Sequence, residues 1–415
     1  MNRTRIAAAG VVLALSVAFG AGIYIGVSER LQNIASAAQV TIPGTGISFG
    51  TPDAQPDKVD FTELWQVWNL LNDNFVQTHA SNTIPTDKEK LYGIIAGLTD
   101  SYKDPYTVFL PPTDAKQFNE DIAGSFGGVG MELGARDGSL TVVSPLKGTP
   151  AAAADIRSGD IILAIDDKAA EHMAVDEAVK LIRGPVGTPV TITVKRAGAA
   201  QPLTIKIVRQ TIQIPILKSY TQGGTYVIEL YSFSENSVDL FRDALRQYFQ
   251  SGSTKLVLDL RGNPGGYLDA AVQMASYFLP VGESVVSEDF GGKQTNVVHR
   301  SLGYNVFANK KLSLAILVDQ GSASAAEILA GALQSHGIGK LVGTRTFGKG
   351  SVQQLIDLPD GAELKVTVAK WLTPDGKSIS DGGLTPDIKA DRTADDVKAG
   401  RDPQKEAANA WLATQ

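Results

Sequence analysis

The chain contains no cysteine. Disulfides, thiolate metal sites and cysteine nucleophiles are thereby excluded. Histidine is scarce: the 415 residues hold four, His79, His172, His299 and His336, and none stands in a recognisable triad motif. Any nucleophilic serine would therefore need a base of another kind. Basic clusters are also missing. With 38 Lys and Arg against 44 Asp and Glu, the formal net charge is -6, which argues against a nucleic-acid partner because phosphate binding demands grouped cations. What is present is ordinary for a folded protein: 43% hydrophobic and 20% charged residues, enough chain for two or three domains with real cores.

The N-terminus bears on location. After Arg3 and Arg5 runs "IAAAGVVLALSVAFGAGIYIGV", Ile6 to Val27, uncharged and close to the ~20 residues an α-helix needs to cross a bilayer. The two arginines place residues 1–27 as a cytoplasmic tail and membrane anchor, with Ser28 onward outside. A cleaved signal peptide ending at Ala35-Ser36-Ala37, giving a secreted protein, is the alternative; a signal's apolar stretch is usually shorter. Residues 28–60, rich in Gly, Pro and Thr, form a tether.

Residues 61–120 have helical character: Leu64, Val67, Trp68 and Leu71 recur at helical spacing, a second helical segment surrounds "EKLYGIIAGLTDSY", and "KDPYTVFLPP" ends it at proline. Residues 121–210 are a β-rich module of short strand runs separated by glycine turns, with helical patches at 151–155 and 176–182. Over Gly124 to Arg209 it resembles a PDZ domain. The resemblance makes Gly127, Gly128, Val129, Gly130 and Met131 the loop whose amides take a peptide's C-terminal carboxylate, beside a strand edge open to an added strand. Arg183, in "LIRGPVG", is either a solvated turn arginine or a peptide-site cation.

From 211 to 390, "TYVIELYSF", "KLVLDLRGN", "LSLAILVDQG" and "KLVGTRTFG" read as buried strands, with helices between them at 237–249, 267–278 and 324–334. That alternation implies an α/β layer with a largely parallel sheet. Two strand-leaving loops, "DLRGNPGGYLDAA" and "VDQGSASAAEIL", are rich in small residues, where such folds build sites. Ser324 opens a helix, and Ser-x-x-Glu there is a capping box. The same position faces unpaired helix amides, which suit an oxyanion formed by serine attack. Lys349 in "TFGKGSVQQ" lies between glycines, and desolvation there yields a neutral amine; an extended 349–353 puts Gln353 on its face. Residues 391–415 close the chain as a helical tail with Trp411 and Leu412 as packing or dimer contacts.

Together, "GSASAAEILAGAL", "TFGKGSVQ", "LDLRGNPGG" and the embedded PDZ module resemble the carboxyl-terminal processing peptidases, tail-specific serine–lysine proteases. The family implies an α/β fold: a crotonase-like ββα core with an inserted PDZ domain. It also implies Ser324 as nucleophile, Lys349 as general base, Gln353 as its orienting partner, and an oxyanion hole from Ala325 with Gly265 or Gly266. Polypeptides with apolar C-termini would be the substrates, with no metal or cofactor, and homodimerisation follows only by family analogy. "GLTDSYKDPYT" departs from the family's tighter "LDPYT"-like stretch. Gly343 to Lys349 also fits a P-loop, but Gly350 replaces the magnesium-binding Ser or Thr, and a hairpin pattern around Pro359-Asp360-Gly361 follows instead of a helix. A catalytically dead PDZ scaffold is the remaining rival.

Overall fold

The computed structural model describes residues 59–78, 84–136, 139–146, 148–171, 173–213, 215–380 and 382–415, with the two-residue strands β1 (Val40–Thr41) and β2 (Ser48–Phe49). The apolar run 6–27, the 35–37 site and most of the 28–60 tether lie outside the described residues. Among the described residues no helix is long and apolar enough to cross a membrane. The chain divides into two units, 1–86 and 87–415. In the first, the amphipathic pattern forms α1 (Thr62–Asn74), with Trp65 and Trp68 edge to face at 6.0 Å.

The second unit opens with α2 (Asp87–Asp100), β3 (Val108–Leu110) and α3 (Pro112–Ala123). Pro112 at its first turn starts α3 without losing a needed donor, and Gly124, at φ 76°, stops it in the left-handed conformation. A short ribbon of β4 (Ser125–Gly128) paired with β11 (Gln210–Gln213) marks where the chain enters and leaves the PDZ module. Inside it are β5 (Met131–Arg136), β6 (Ser139–Pro145), α4 (Pro150–Ala153), β7 (Ile161–Ile165), β8 (Lys168–Ala169), α5 (Val175–Ile182), β9 (Pro189–Lys195) and β10 (Leu203–Val208). The sheet order is β10-β9-β7-β6-β5, with β8 on β7, so β5 is an edge strand. Alternation in β9 sends Val190, Ile192 and Val194 into the module's core, all fully buried.

The rest of the unit is built on two sheets. The first runs β12-β13-β14-β17-β18-β21, from β12 (Leu217–Gln222), β13 (Thr225–Leu230), β14 (Lys255–Asp259), β17 (Ser313–Val318), β18 (Lys340–Gly343) and β21 (Ile388–Lys389). All neighbours in it are parallel except the edge pair β12–β13. The period of two sorts its side chains. Ile228, Leu256, Leu258, Leu314, Ile316 and Leu341 join a core with α6 (Ser237–Ser251), α7 (Leu268–Ser276) and α8 (Ala325–Ser335), while Val227, Val257, Ala315, Leu317 and Val342 meet Ala408 and Leu412 of α10 (Pro403–Ala413). The closing tail is thus a packed layer, preceded by the short α9 (Ala394–Lys398). Asp402 caps α10 and, with Asp259, clamps the Arg261 guanidinium, which also donates to Gln404.

The second sheet was foreseen only in its hairpin. Its order is β16-β15-β20-β19, from β15 (Ser284–Asp289), β16 (Val297–Arg300), β19 (Ser351–Asp357) and β20 (Glu363–Leu372), all antiparallel, with β3 added on β20. The Pro359–Gly361 turn joins β19 to β20, so a strand pair follows Lys349 where a P-loop requires a helix. Helix α3 ties PDZ to core: Asp114 pairs with Lys180 at 2.9 Å and Asp121 with Arg183 at 2.6 Å, while Asn119 donates to Glu363 at 2.6 Å.

Because Leu412 is fully buried between α10 and the sheet, Leu412→Ala is expected to cost about 2–5 kcal/mol of unfolding free energy. Chemical denaturation measures it; a loss near zero would mean that α10 does not cover the sheet.

Candidate active site

Parallel strands β14 and β17 are neighbours, so the loops that leave them emerge side by side, and hydrogen bonds stitch the two together. Asp319 Oδ1 accepts the Gly262 N–H at 2.8 Å and the Gly321 N–H at 2.9 Å. Ser322 donates its hydroxyl to Leu260 O at 2.8 Å, and the Ala323 N–H bonds Asn263 O at 2.9 Å. The glycine-rich and serine-rich segments singled out in the sequence therefore form one surface.

Ser324 sits at the mouth of α8 with φ 54° and ψ -119°, a region costly for any residue with a side chain, on the order of 1–3 kcal/mol. Such strain turns a side chain outward from a strand–helix turn. Ser324 and Glu327 stand in the capping-box arrangement, with the Ser324 N–H on Glu327 Oε2 at 3.0 Å, yet the serine hydroxyl makes no capping hydrogen bond.

Glu327 was visible in the sequence only as half of a cap. In the structure it is fully buried and accepts four donors: Thr346 Oγ1 at 2.6 Å and Gly348 N–H at 2.8 Å on one oxygen, Ser324 N–H and Lys349 N–H, both at 3.0 Å, on the other. Burial pushes its carboxyl above the ordinary range, against the pull of those donors. Since Ser324 and Lys349 donate to the same oxygen, their backbone nitrogens lie within two hydrogen-bond lengths of each other. The backbones of the two candidate residues are thereby held close together.

Burial lowers the Lys349 amine below the ordinary lysine range; the like charge of Lys365 on β20 adds to this and Glu327 opposes it. The amine faces the Tyr106 ring, 5.3 Å from its centroid. Gln353 is on β19 nearby, but its amide donates to Ser351 Oγ at 2.7 Å and Thr367 Oγ1 at 3.3 Å, not to Lys349. His299 and His336 are engaged elsewhere, with Glu288 and with Ser284 O. Tyr106, Lys365 and Thr367 escaped the sequence reading. "DPYT" did carry a turn signal, but nothing local pointed it at the lysine.

The "NPGG" glycines divide. The Gly265 N–H is spent on Asn263 Oδ1 at 2.9 Å, and its carbonyl accepts the Phe233 N–H. A Cβ at Gly265 would stand 2.7 Å from Ser324 Cβ and 2.9 Å from Ala325 N, so this glycine keeps open the space beside the serine. Among the described residues the N–H groups of Gly266 and Ala325 have no bonded partner.

At the PDZ module, edge strand β5 runs beside α5, the geometry of a strand-addition groove. Gly130, at φ 76°, closes the loop before Met131; a Cβ there would meet Thr149 at 2.5 Å. The Val129 side chain is buried in the module's core, and its carbonyl accepts the Ala151 N–H at 2.8 Å. Gly128 ends β4, and Gly127 O accepts the Gly184 N–H at 3.0 Å, locking the "LIRGPVG" turn to the loop. Arg183 is not a free turn arginine: half-buried, it pairs with Asp121 and lies 3.9 Å over the Phe126 ring.

Glutamine at 327 would supply one acceptor oxygen and set an NH2 group against the remaining donors. Glu327→Gln is expected to lose about 2–4 kcal/mol of stability and to slow peptide hydrolysis at least about tenfold. Denaturation midpoints and initial rates test this; an unchanged rate would remove Glu327 from the alignment of the site.

Comparison with known proteins agrees with this architecture. The model of peptidase family S41 matches residues 224–390 and that of a PDZ domain matches 141–196. The carboxy-terminal processing protease CtpA of Bacillus subtilis (strain 168) is 35% identical over 360 residues, 86% of this chain and 75% of that protein. A probable CtpA-like serine protease of Staphylococcus aureus (strain bovine RF122 / ET3-1) is 36% identical over 335 residues; the match takes in 81% of this chain but 66% of the staphylococcal protein's length. Among solved structures, a photosystem II D1 C-terminal processing protease superposes with a TM-score of 0.50 at 28% identity, covering 79% of this chain and 92% of that one. With its serine-bearing helix mouth, half-buried lysine and inserted PDZ module, the chain belongs to peptidase family S41, among the carboxy-terminal processing proteases.

Proposed function

We propose that the protein is a membrane-anchored, extracytoplasmic serine endopeptidase that recognises substrate C-termini through its PDZ domain and cleaves by a Ser–Lys mechanism. The observation that carries this is the shared Glu327 oxygen, which holds the Ser324 and Lys349 backbones together around a half-buried amine. Neutral Lys349 takes the Ser324 proton as the oxygen attacks the peptide carbonyl. The Gly266 and Ala325 amides receive the oxyanion. Collapse expels the amine half of the substrate, protonated by the lysine, and water then hydrolyses the acyl-enzyme to restore the serine.

A small apolar C-terminus docks at the Gly128–Met131 loop and pairs with β5. Gln353 reaches the lysine by exchanging its Ser351 bond. Arg183 would join the peptide site only by leaving Asp121, at a salt bridge joining the PDZ module to α3. The core belongs to the crotonase-like class, and homodimerisation rests on family analogy. Residues 6–27 supply the anchor, with secretion after cleavage as the alternative.

Activity should rise with pH, because the reactive form of Lys349 is the deprotonated one, and its midpoint should fall below the ordinary lysine range. Ser324→Ala and Lys349→Ala should each abolish cleavage of an unstructured polypeptide with an apolar tail, and removing the tail should slow the wild type. Cleavage that survives both substitutions rejects the dyad; an inactive wild type favours the scaffold reading; indifference to the tail rejects the docking role.

A further inference from the structure

The Asp104-Pro105-Tyr106-Thr107 turn has no part in the reaction as proposed, yet it forms the wall behind the lysine. Asp104 accepts the Tyr106 backbone N–H at 3.2 Å on one oxygen and the Thr107 hydroxyl at 2.6 Å on the other, which fixes the backbone of the turn and the direction of the Thr107 side chain. The Tyr106 ring then presents its face to Lys349 Nζ, at cation–π range. Thr107 Oγ1 also accepts the Thr367 N–H of β20 at 3.1 Å, and the Thr367 hydroxyl accepts from Gln353 Nε2. One turn therefore touches the amine directly and reaches the carboxamide through a single intermediary, across 260 residues of sequence.

We propose that this turn is a positioning element for the base: the Tyr106 ring holds the Lys349 amine in the resting enzyme, and Thr107, through Thr367, holds Gln353 in step with it. The inference rests on Lys349 being the general base. A ring's negative face favours the ammonium over the amine. The other charged groups facing Lys349 are Lys365 from β20, which disfavours the ammonium, and Glu327 from α8, which favours it. Tyr106 thus keeps the resting lysine charged and docked, opposing burial and Lys365, which drive it toward the reactive neutral form. The hydroxyl of Tyr106 is not required.

The test is the pH profile of the full-length chain on an unstructured polypeptide with an apolar C-terminus. Wild type would be compared with Tyr106→Phe, Tyr106→Leu, and a chain carrying pentafluorophenylalanine at position 106, whose fluorines withdraw charge from the ring face without changing its shape. Tyr106→Phe should match the wild type. The fluorinated chain should show its kcat/KM midpoint moved down by roughly half a pH unit with the plateau rate retained. Tyr106→Leu should show the same shift together with a several-fold lower plateau kcat and an unchanged KM. Because the fluorinated ring preserves packing, it decides the matter even if the leucine variant fails to fold. Superimposable profiles for wild type and fluorinated chain overturn the role of Tyr106. Lys349→Ala separates the two levels: activity in it overturns the base assignment and this proposal together, whereas an inactive Lys349→Ala beside an unshifted fluorinated profile overturns this proposal alone.

Discussion

A carboxylate sealed from water must be surrounded by donors, and in this protein the donors of Glu327 are the backbones of Ser324, Gly348 and Lys349 and the side chain of Thr346. Three N–H groups and one hydroxyl converge on it, drawn from the helix mouth at Ser324 and from the 346–349 segment. Leaving any one of them unpaired in the interior carries a penalty larger than the net gain of an ordinary hydrogen bond. The two segments are therefore held to a single relative placement. The N-terminal end of α8 adds a favourable field for the negative charge.

That placement is supported from behind. The turn at Ser324 is strained, and strain persists only where surroundings over-determine it. The surroundings are the stitched loops after β14 and β17, pinned through Asp319, Ser322 and Asn263, and the Arg261 clamp that fastens the first loop to α10. A tail helix distant in sequence thus serves the same end as the residues beside the serine. The lysine's own environment combines burial, a like charge at Lys365 and a ring face, which pull its proton affinity in opposite directions.

The PDZ module is attached at a two-stranded ribbon and braced by α3, whose acidic residues pair with α5 while Asn119 bonds the core. The groove between β5 and α5 and the helix linking module to core share these contacts, since Arg183 follows the last residue of α5. Surface ion pairs of this kind contribute little stability singly. Their value is geometric, in fixing how α5 meets α3.

Much of this was legible in the chain alone. Periodicity placed α6, α7 and α8 within a few residues of where they form, apolar runs marked the buried strands, and small residues marked the loops that carry the candidate site. Ser324, Lys349 and the "NPGG" segment stood out because helix mouths, glycine-flanked amines and glycine turns are local chemistry. The sequence also showed the Ser-x-x-Glu box, but not that its glutamate would hold the lysine's backbone as well as the serine's. Nor could it tell Gly265 from Gly266, which the fold distinguishes by bonding the Gly265 amide to Asn263. The meeting of Tyr106 with Lys349, the chain of bonds from Thr107 through Thr367 to Gln353, and the engagement of Arg183 by Asp121 were decided by tertiary structure. Local patterns are written by interactions over a few residues; pairings across hundreds are set by sheet register and by the packing of one face on another, which no short stretch of chain contains.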